Sequence, residues 1–350
     1  MIKLSQAHVL GTIIAYLLGI FIVPLVIYYS KKLNLIDKPN ERKIHHGAIS
    51  RLGGIAIWVS IMLTFGSLIL LSYYPTGQGL SGIIVGGSLM FLMGLVDDVY
   101  CLNAKFKLFI QVAIATIVIL LGVRIEEFYL PWLGYDVNLG FMSYPISLLW
   151  IVGITNAVNF IDGIDGLAGT IVSIAALAIG IVSLVLEPGC QVNALMAFIL
   201  IGAMCSFLTF NYNPAKIFMG DSGALYAGFM LATLSITGIV KPSAGSINMY
   251  LPILILVIPL MDIAYSSIRR IMKGSSPFVA DAEHIHHKLL HAGYSQDKLV
   301  LLLASFGMVC ALLAIIMVST KSKFIIIALS LIGVLILLNV ISKLIKKKEN

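Results

Sequence analysis

The apolar residues of this chain run in long blocks, without the alternation of a half-buried strand or the single stripe of a soluble helix. Eleven blocks stand out: 9–29, 53–72, 82–96, 108–123, 144–160, 167–186, 193–210, 222–240, 248–266, 299–318 and 323–342. Most hold roughly 16–22 residues, enough for an α-helix to cross a hydrocarbon core about 30 Å thick. The third is short unless it runs on into the paired aspartates behind it. Lipid cannot satisfy backbone hydrogen bonds, whereas a helix satisfies its own. The pattern therefore predicts an all-α, polytopic membrane protein of about eleven transmembrane helices. The first block is too long for the apolar core of a signal peptide and has no small-residue cleavage site after it, so it counts as a span. No repeat, linker or soluble stretch divides the chain, and residues 1–350 read as one transmembrane domain.

Composition agrees, with 59% hydrophobic and 11% charged residues, where a soluble domain carries about a quarter charged. Charge then sets orientation. With segment 30–52 placed inside and the rest alternating, 18 of the 23 Lys and Arg residues fall inside, leaving Lys3, Arg124, Lys241, Lys321 and Lys323 outside. Cytoplasmic loops carry the excess of cations, so the N-terminus is expected outside and the C-terminus in the cytoplasm. The formal charge of +7 thus reports topology and contact with anionic membrane lipid. It does not point to nucleic acid, because no basic patch is interleaved with aromatics. Cys101, Cys190, Cys205 and Cys310 lack metal-ligand spacing and read as small apolar residues.

The acids and histidines share that asymmetry. Of the 16 acidic residues only Glu126, Glu127, Asp136 and Glu187 lie toward the outside, and six of the seven histidines lie inside. Chemistry is therefore expected at the inner face. The longest outer connection, 124–143, has the aromatic and Pro/Gly content of a small interfacial hairpin.

Five inner segments carry candidate residues. The first, from Asp37 through Asn40, Arg42, Lys43, His45 and His46 to Gly53-Gly54, suits an anionic headgroup or phosphate as well as it suits a plain cationic anchor. The second holds Asp97 and Asp98, then Lys105 and Lys107; adjacent carboxylates repel and need a cation or proton nearby. The third runs Asn156-Ala-Val-Asn159-Phe-Ile-Asp162-Gly-Ile-Asp165-Gly, where a helical turn would put Asp162 and Asp165 on one face. The fourth, Asn213 to Gly223, includes Lys216, Phe218 and Asp221-Ser222. Asp221 is expected to stand apart from cations other than Lys216, which suits a ligand for a hard divalent ion; an Asp-Ser helix cap is the plainer alternative. The fifth spans Arg269 and Arg270 to His284, His286 and His287, donors suited to a diphosphate; without Cys or an HExxH helix, zinc ranks below phosphate. Asp262 is placed to pair with one of those arginines.

Carboxylates, a divalent cation and several cationic donors on one face suit phosphoryl transfer. The ordered motifs DKPNERKIHH, GLVDD, NFIDGIDGLAG, NPAKIFMGDSG and SPFVADAEHIHH, over roughly residues 35–291, resemble the polyprenyl-phosphate N-acetylhexosamine-1-phosphate transferases. That resemblance implies undecaprenyl phosphate as acceptor, a UDP-amino sugar as donor, Mg²⁺ (with Mn²⁺ as a substitute), UMP as product and a bacterial cytoplasmic membrane. It implies Asp97 as base or nucleophile beside Asp98, Lys107 on phosphate, and Asn159, Asp162 and Asp165 ordering the nucleotide and site. Asp221, with Asp98, would hold the metal, and Phe218 would pack on uracil. The histidines would lie near diphosphate and sugar, with Arg42, His45, Arg269 and Arg270 as further donors to substrate.

The muramyl-pentapeptide branch carries three consecutive histidines after its Ser-Pro. Here Ser276-Pro277-Phe278 leads through VADAE to His-Ile-His-His, so the chain resembles the N-acetylglucosamine branch, with UDP-GlcNAc as the implied donor. Another UDP-HexNAc donor and a homodimeric assembly stay open. Two other classes compete. A permease would hold its acids near mid-span instead of at loop edges, and a CDP-alcohol phosphotransferase needs Ala-Arg after Asp-Gly, where Asp162-Gly163 is followed by Ile-Asp.

Overall fold

The fold was taken from a computed structural model that describes residues 5–37, 49–73, 77, 79–130, 135–186, 191–240, 249–272, 289–290, 293–319 and 333. The apolar blocks become helices α1 (Gln6–Lys32), α2 (Gly53–Leu70), α3 (Leu80–Tyr100), α4 (Ala104–Leu120), α5 (Ser143–Ile161), α6 (Leu167–Leu186), α7 (Gln191–Asn211) and α8 (Gly220–Ser235). After these come α9 (Tyr250–Ile255), α10 (Val257–Met272) and α11 (Gln296–Ser319). The third block takes both aspartates into α3. Eight helices among the described residues are long and apolar enough to cross a membrane; α4, at 17 residues, falls just short. The chain is a multi-pass, all-α membrane protein.

One block differs from its expected form. Residues 248–266 were expected as a single helix, yet the chain breaks at Leu256 and restarts as α10, which runs on to carry Arg269 and Arg270. Pro259 explains the break: it has no N–H to give the carbonyl four residues back, and its ring crowds that carbonyl. The block 323–342 lies outside the described residues, apart from Gly333.

The bundle is built around α8. Every residue from Ser222 to Ser235 is buried, and α2, α3, α5, α6 and α7 all pack on it. The small residues of α8 (Gly223, Ala224, Ala227, Gly228) let its neighbours approach closely. Beyond this ring, α1 packs on α2 and α7, α4 on α3 and α5, α10 on α5, and α11 on α6. Helix α1 leaves Phe21, Leu25 and Tyr28 exposed, the pattern of a lipid-facing helix. The segment 124–143 does form a hairpin, with β3 (Glu127–Leu130) antiparallel to β4 (Tyr135–Asn138).

At the opposite end, β1 (Ile36–Asp37) pairs with β2 (Ile49–Ser50), and Ser50 bridges in parallel to Ile217. Phe218 N donates to Ser50 O at 2.7 Å, while Gly53 N and Gly54 N donate to Phe218 O and Met219 O at 3.0 and 2.9 Å. These bonds tie the start of α2 to the chain entering α8. The free backbone donors of one helix start are thereby satisfied by the approach to the other.

Candidate active site

The ends of α3, α5 and the starts of α4 and α8 meet here, which brings Asp97, Asp98, Lys107, Asn159, Asp162 and Asp221 into one cluster. Adjacent residues on a helix point about 100° apart, so the two aspartates of α3 face different neighbours. Asp98 turns to the start of α8: its Oδ1 accepts from Asp221 N at 2.7 Å, and its Oδ2 from Ser222 N at 3.0 Å and Ser222 Oγ at 2.6 Å. It caps α8 from another helix, where orphan N–H groups and the helix dipole favour a carboxylate. Gly220, at φ +70°, makes this possible, because a Cβ there would lie 2.0 Å from Arg51 O and 2.7 Å from Asp98 Oδ2.

Asp97 turns the other way and is buried. Its Oδ1 accepts from Leu102 N at 2.7 Å, and its Oδ2 accepts from Lys107 Nζ. The same ammonium donates to Asp221 Oδ2 at 2.6 Å, and Asn159 Nδ2 donates to Asp221 Oδ1 at 3.1 Å. The expected isolation of Asp221 from cations other than Lys216 is therefore overturned. Ten residues separate Lys107 from Asp97 and 114 from Asp221, but the turn between α3 and α4 brings the ammonium to both. Lys216 is exposed, on the entry to α8.

Asp162 and Asp165 were expected on one face of a helical turn. The chain instead leaves α5 at Ile161 and turns through residues 162–166, with Gly166 at φ +75°. Asp165 Oδ2 accepts from Ala215 N at 3.0 Å, while Asn211 Oδ1 accepts from Gly166 N at 3.0 Å and Asn211 Nδ2 donates to Ile217 O at 2.8 Å. Asp165 and Asn211 thus lace the α5–α6 turn to the segment leading into α8. Asp162 stays with the site. Burial, then the charges of Asp221, Asp98 and Asp165, push its carboxyl up to about 8, so at neutral pH it holds a proton.

Phe218 is half-buried beside the cluster, with its backbone fixed by Ser50 and Gly53. Arg269 and Arg270 end α10, with the Arg269 guanidinium 5.9 Å over the Tyr265 ring. Arg42, His45, His284, His286 and His287 lie outside the described residues. Ser222, read from the sequence only as part of an Asp-Ser cap, gives its hydroxyl to Asp98. Gln111 escaped the sequence reading; it pairs with Asn156 one turn deeper than Lys107 and Asn159, where Asn156 Nδ2 donates to Gln111 Oε1 at 2.6 Å. Gln111, 1% exposed inside an apolar block, carried the signal that a buried polar residue in a span gives.

Among the described residues no three His, Cys, Asp or Glu side chains form a preformed metal cluster. Mg²⁺ does not require one, since one or two carboxylates complete its shell with water and substrate phosphate. Asp221, 31% exposed at a helix start with an amide beside it, fits that demand.

Residues 80–239, the stretch that supplies all six residues of this cluster, match the glycosyl transferase family 4 profile. A probable undecaprenyl-phosphate N-acetylglucosaminyl 1-phosphate transferase of Bacillus subtilis is 35% identical over 329 residues, covering 94% of this chain and 89% of that protein. The chain belongs to glycosyl transferase family 4. Two further relatives are a decaprenyl-phosphate N-acetylglucosaminephosphotransferase of Mycobacterium tuberculosis, 32% identical over 78% of this chain and 73% of its own length, and the undecaprenyl-phosphate alpha-N-acetylglucosaminyl 1-phosphate transferase of Escherichia coli, 31% identical over 79% and 77%. Every one of the family's expected acids falls within the matched span, and Lys107 and Asn159 fall with them.

Proposed function

We propose that this chain transfers N-acetylglucosamine 1-phosphate from UDP-GlcNAc to undecaprenyl phosphate, at the cytoplasmic face of a bacterial cytoplasmic membrane. The observation that carries the reading is Asp97, Lys107, Asn159 and Asp221 converging where helix ends meet, in a chain whose relatives along most of its length are named for this transfer. A lipid phosphate reaches such an edge from the leaflet and a nucleotide reaches it from the aqueous side.

In this scheme Asp221 would hold Mg²⁺, or Mn²⁺ in its place, with the Asn159 amide beside it. The cation, when bound, neutralises the diphosphate. Asp98 is the anchor that aims Asp221, since all its contacts go to the start of α8. Lys107 contributes charge to the diphosphate, and the Phe218 ring packs on uracil. A phosphate monoester has its second pKa near 6, so the acceptor is largely a dianion at neutral pH and needs positioning more than activation. Its oxygen attacks the β-phosphorus, the bond from that phosphorus to the bridging oxygen breaks, and UMP leaves with that oxygen. Asp97, held by Leu102 N and Lys107, orients the acceptor or takes its last proton. A covalent Asp97 intermediate would add a high-energy acyl phosphate for little gain.

The test is direct. Purified protein given tritium-labelled UDP-GlcNAc, undecaprenyl phosphate and Mg²⁺ should produce butanol-extractable label, and Asp221→Asn should abolish it with the fold intact. Absence of label with the wild-type chain, or retained turnover in Asp221→Asn, would sink the assignment.

A further inference from the structure

We propose that Lys107 and the divalent cation compete for the same carboxylates, so that the cation is held tightly only together with a diphosphate. The inference rests on the assignment of Asp221 as cation ligand and adds the order and coupling of binding.

The geometry leaves little freedom. The two carboxylates offer four oxygens, and each is engaged: Asp97 Oδ1 by Leu102 N, Asp221 Oδ1 by Asn159 Nδ2, and both Oδ2 atoms by the one Lys107 ammonium. The backbone donor to Asp97 cannot leave without unwinding the turn after α3. The Asn159 amide can rotate and offer its oxygen instead. The ammonium is the partner a cation must displace or tolerate.

Charge decides between those alternatives. With Asp98 counted beside them, Asp97, Asp221 and Lys107 belong to a cluster of two net negative charges, which a divalent cation would neutralise as a whole. The conflict is local: a cation added beside a retained ammonium leaves two cations facing one Asp221 oxygen pair in a half-buried site. A diphosphate removes the conflict. It supplies oxygens to the metal and a new anionic partner for the ammonium, which sits on a flexible four-carbon stem. Lys107 starts from the first turns of α4, with its N–H on Asn103 O, so its side chain can swing while its backbone stays fixed. The lysine therefore does two things: it neutralises the carboxylates before the donor arrives, and it transfers to the donor's phosphates once the cation enters. Coupling of this kind is reciprocal, so the diphosphate must tighten cation binding by the factor by which the cation tightens diphosphate binding.

The experiment measures Mn²⁺ binding to the full chain in nanodiscs by electron paramagnetic resonance, with and without UDP, alongside circular dichroism as a check of fold. Wild type should bind Mn²⁺ alone weakly and with UDP at least about tenfold more tightly. Lys107→Gln and Lys107→Met should bind Mn²⁺ alone on the order of tenfold more tightly than wild type and lose most of the UDP effect. Lys107→Arg, which keeps the charge, should stay weak. Folded Gln and Met variants that bind Mn²⁺ alone no better than wild type overturn the competition. If neither variant folds, wild type decides alone: equal Mn²⁺ affinity with and without UDP overturns it. Asp221→Asn separates this from the parent reading. Mn²⁺ binding lost in that variant upholds Asp221 as ligand whatever Lys107 does, and binding retained removes the ligand assignment and the competition with it.

Discussion

At the scale of single residues, neighbouring acids with similar sequence credentials do different work. Asp165 spends an oxygen on Ala215 N, a contact that an amide oxygen can also accept. Asp165→Asn should therefore keep the melting temperature near wild type. Asp165→Ala should leave the Ala215 N–H unsatisfied, at a cost of about 1–3 kcal/mol. Equal loss of activity in both, at unchanged stability, would mean that the charge itself is used in catalysis. Asp162 differs, because its carboxyl, raised to about 8 by burial and then by Asp221, Asp98 and Asp165, is neutral below that pH in the protein alone. A divalent cation prefers the ionised cluster, so its affinity should climb as pH rises toward 8 and level off above. Calorimetric titration of Mg²⁺ in the presence of UDP across that range checks this, and a flat profile would contradict the coupling of Asp162 to the cluster.

At the scale of elements, the site depends on how closely α3 approaches α8. A Cβ on Gly94 would lie 2.5 Å from Ser222 Cα and 2.6 Å from Asp221 O. Neither backbone atom can step aside, since Asp98 clamps that turn. Gly94→Ala should push the two helices apart, lower the melting temperature in proportion to an overpacking cost of about 1–3 kcal/mol, and reduce turnover by loosening Asp98 from α8. Gly153 on α5 is the control, with nothing within 4 Å of its added Cβ. There alanine should be neutral or stabilising by about 0.5–1 kcal/mol, the usual gain of alanine over glycine in a helix. Thermal unfolding of the two variants side by side distinguishes helix contact from helix propensity.

At the scale of the molecule, the cluster sits at one end of a bundle whose helices alternate in direction. The ends of α3 and α5 and the starts of α4 and α8 converge there, while the β3–β4 hairpin lies between the other ends of α4 and α5. From the 18-to-5 partition of cations we propose that the cluster end faces the cytoplasm. A reporter fused after Lys348 should be cytoplasmic, and one inserted at Gly189 should be external. A cytoplasmic signal from Gly189 would invert the bundle and put the cluster on the wrong side for the nucleotide donor we propose.

The linear pattern by itself determined the solvent, the element type and the set of chemical groups. Apolar blocks of bilayer length can satisfy their backbones only as helices, and acids placed at block edges had to be compensated by something. Which partner compensates which acid was decided only by packing. Asp97 and Asp98 are adjacent in sequence and diverge because a helix turns 100° per residue, one toward Lys107 and the other onto the start of α8. Asp162 and Asp165 part because the chain leaves the helix between α5 and α6, which no spacing rule reveals. Lys107 reaches Asp221 across 114 residues, and Gln111 finds Asn156 across 45. Contacts at such separations follow from which helix faces meet around α8, and that is a property of the assembled bundle.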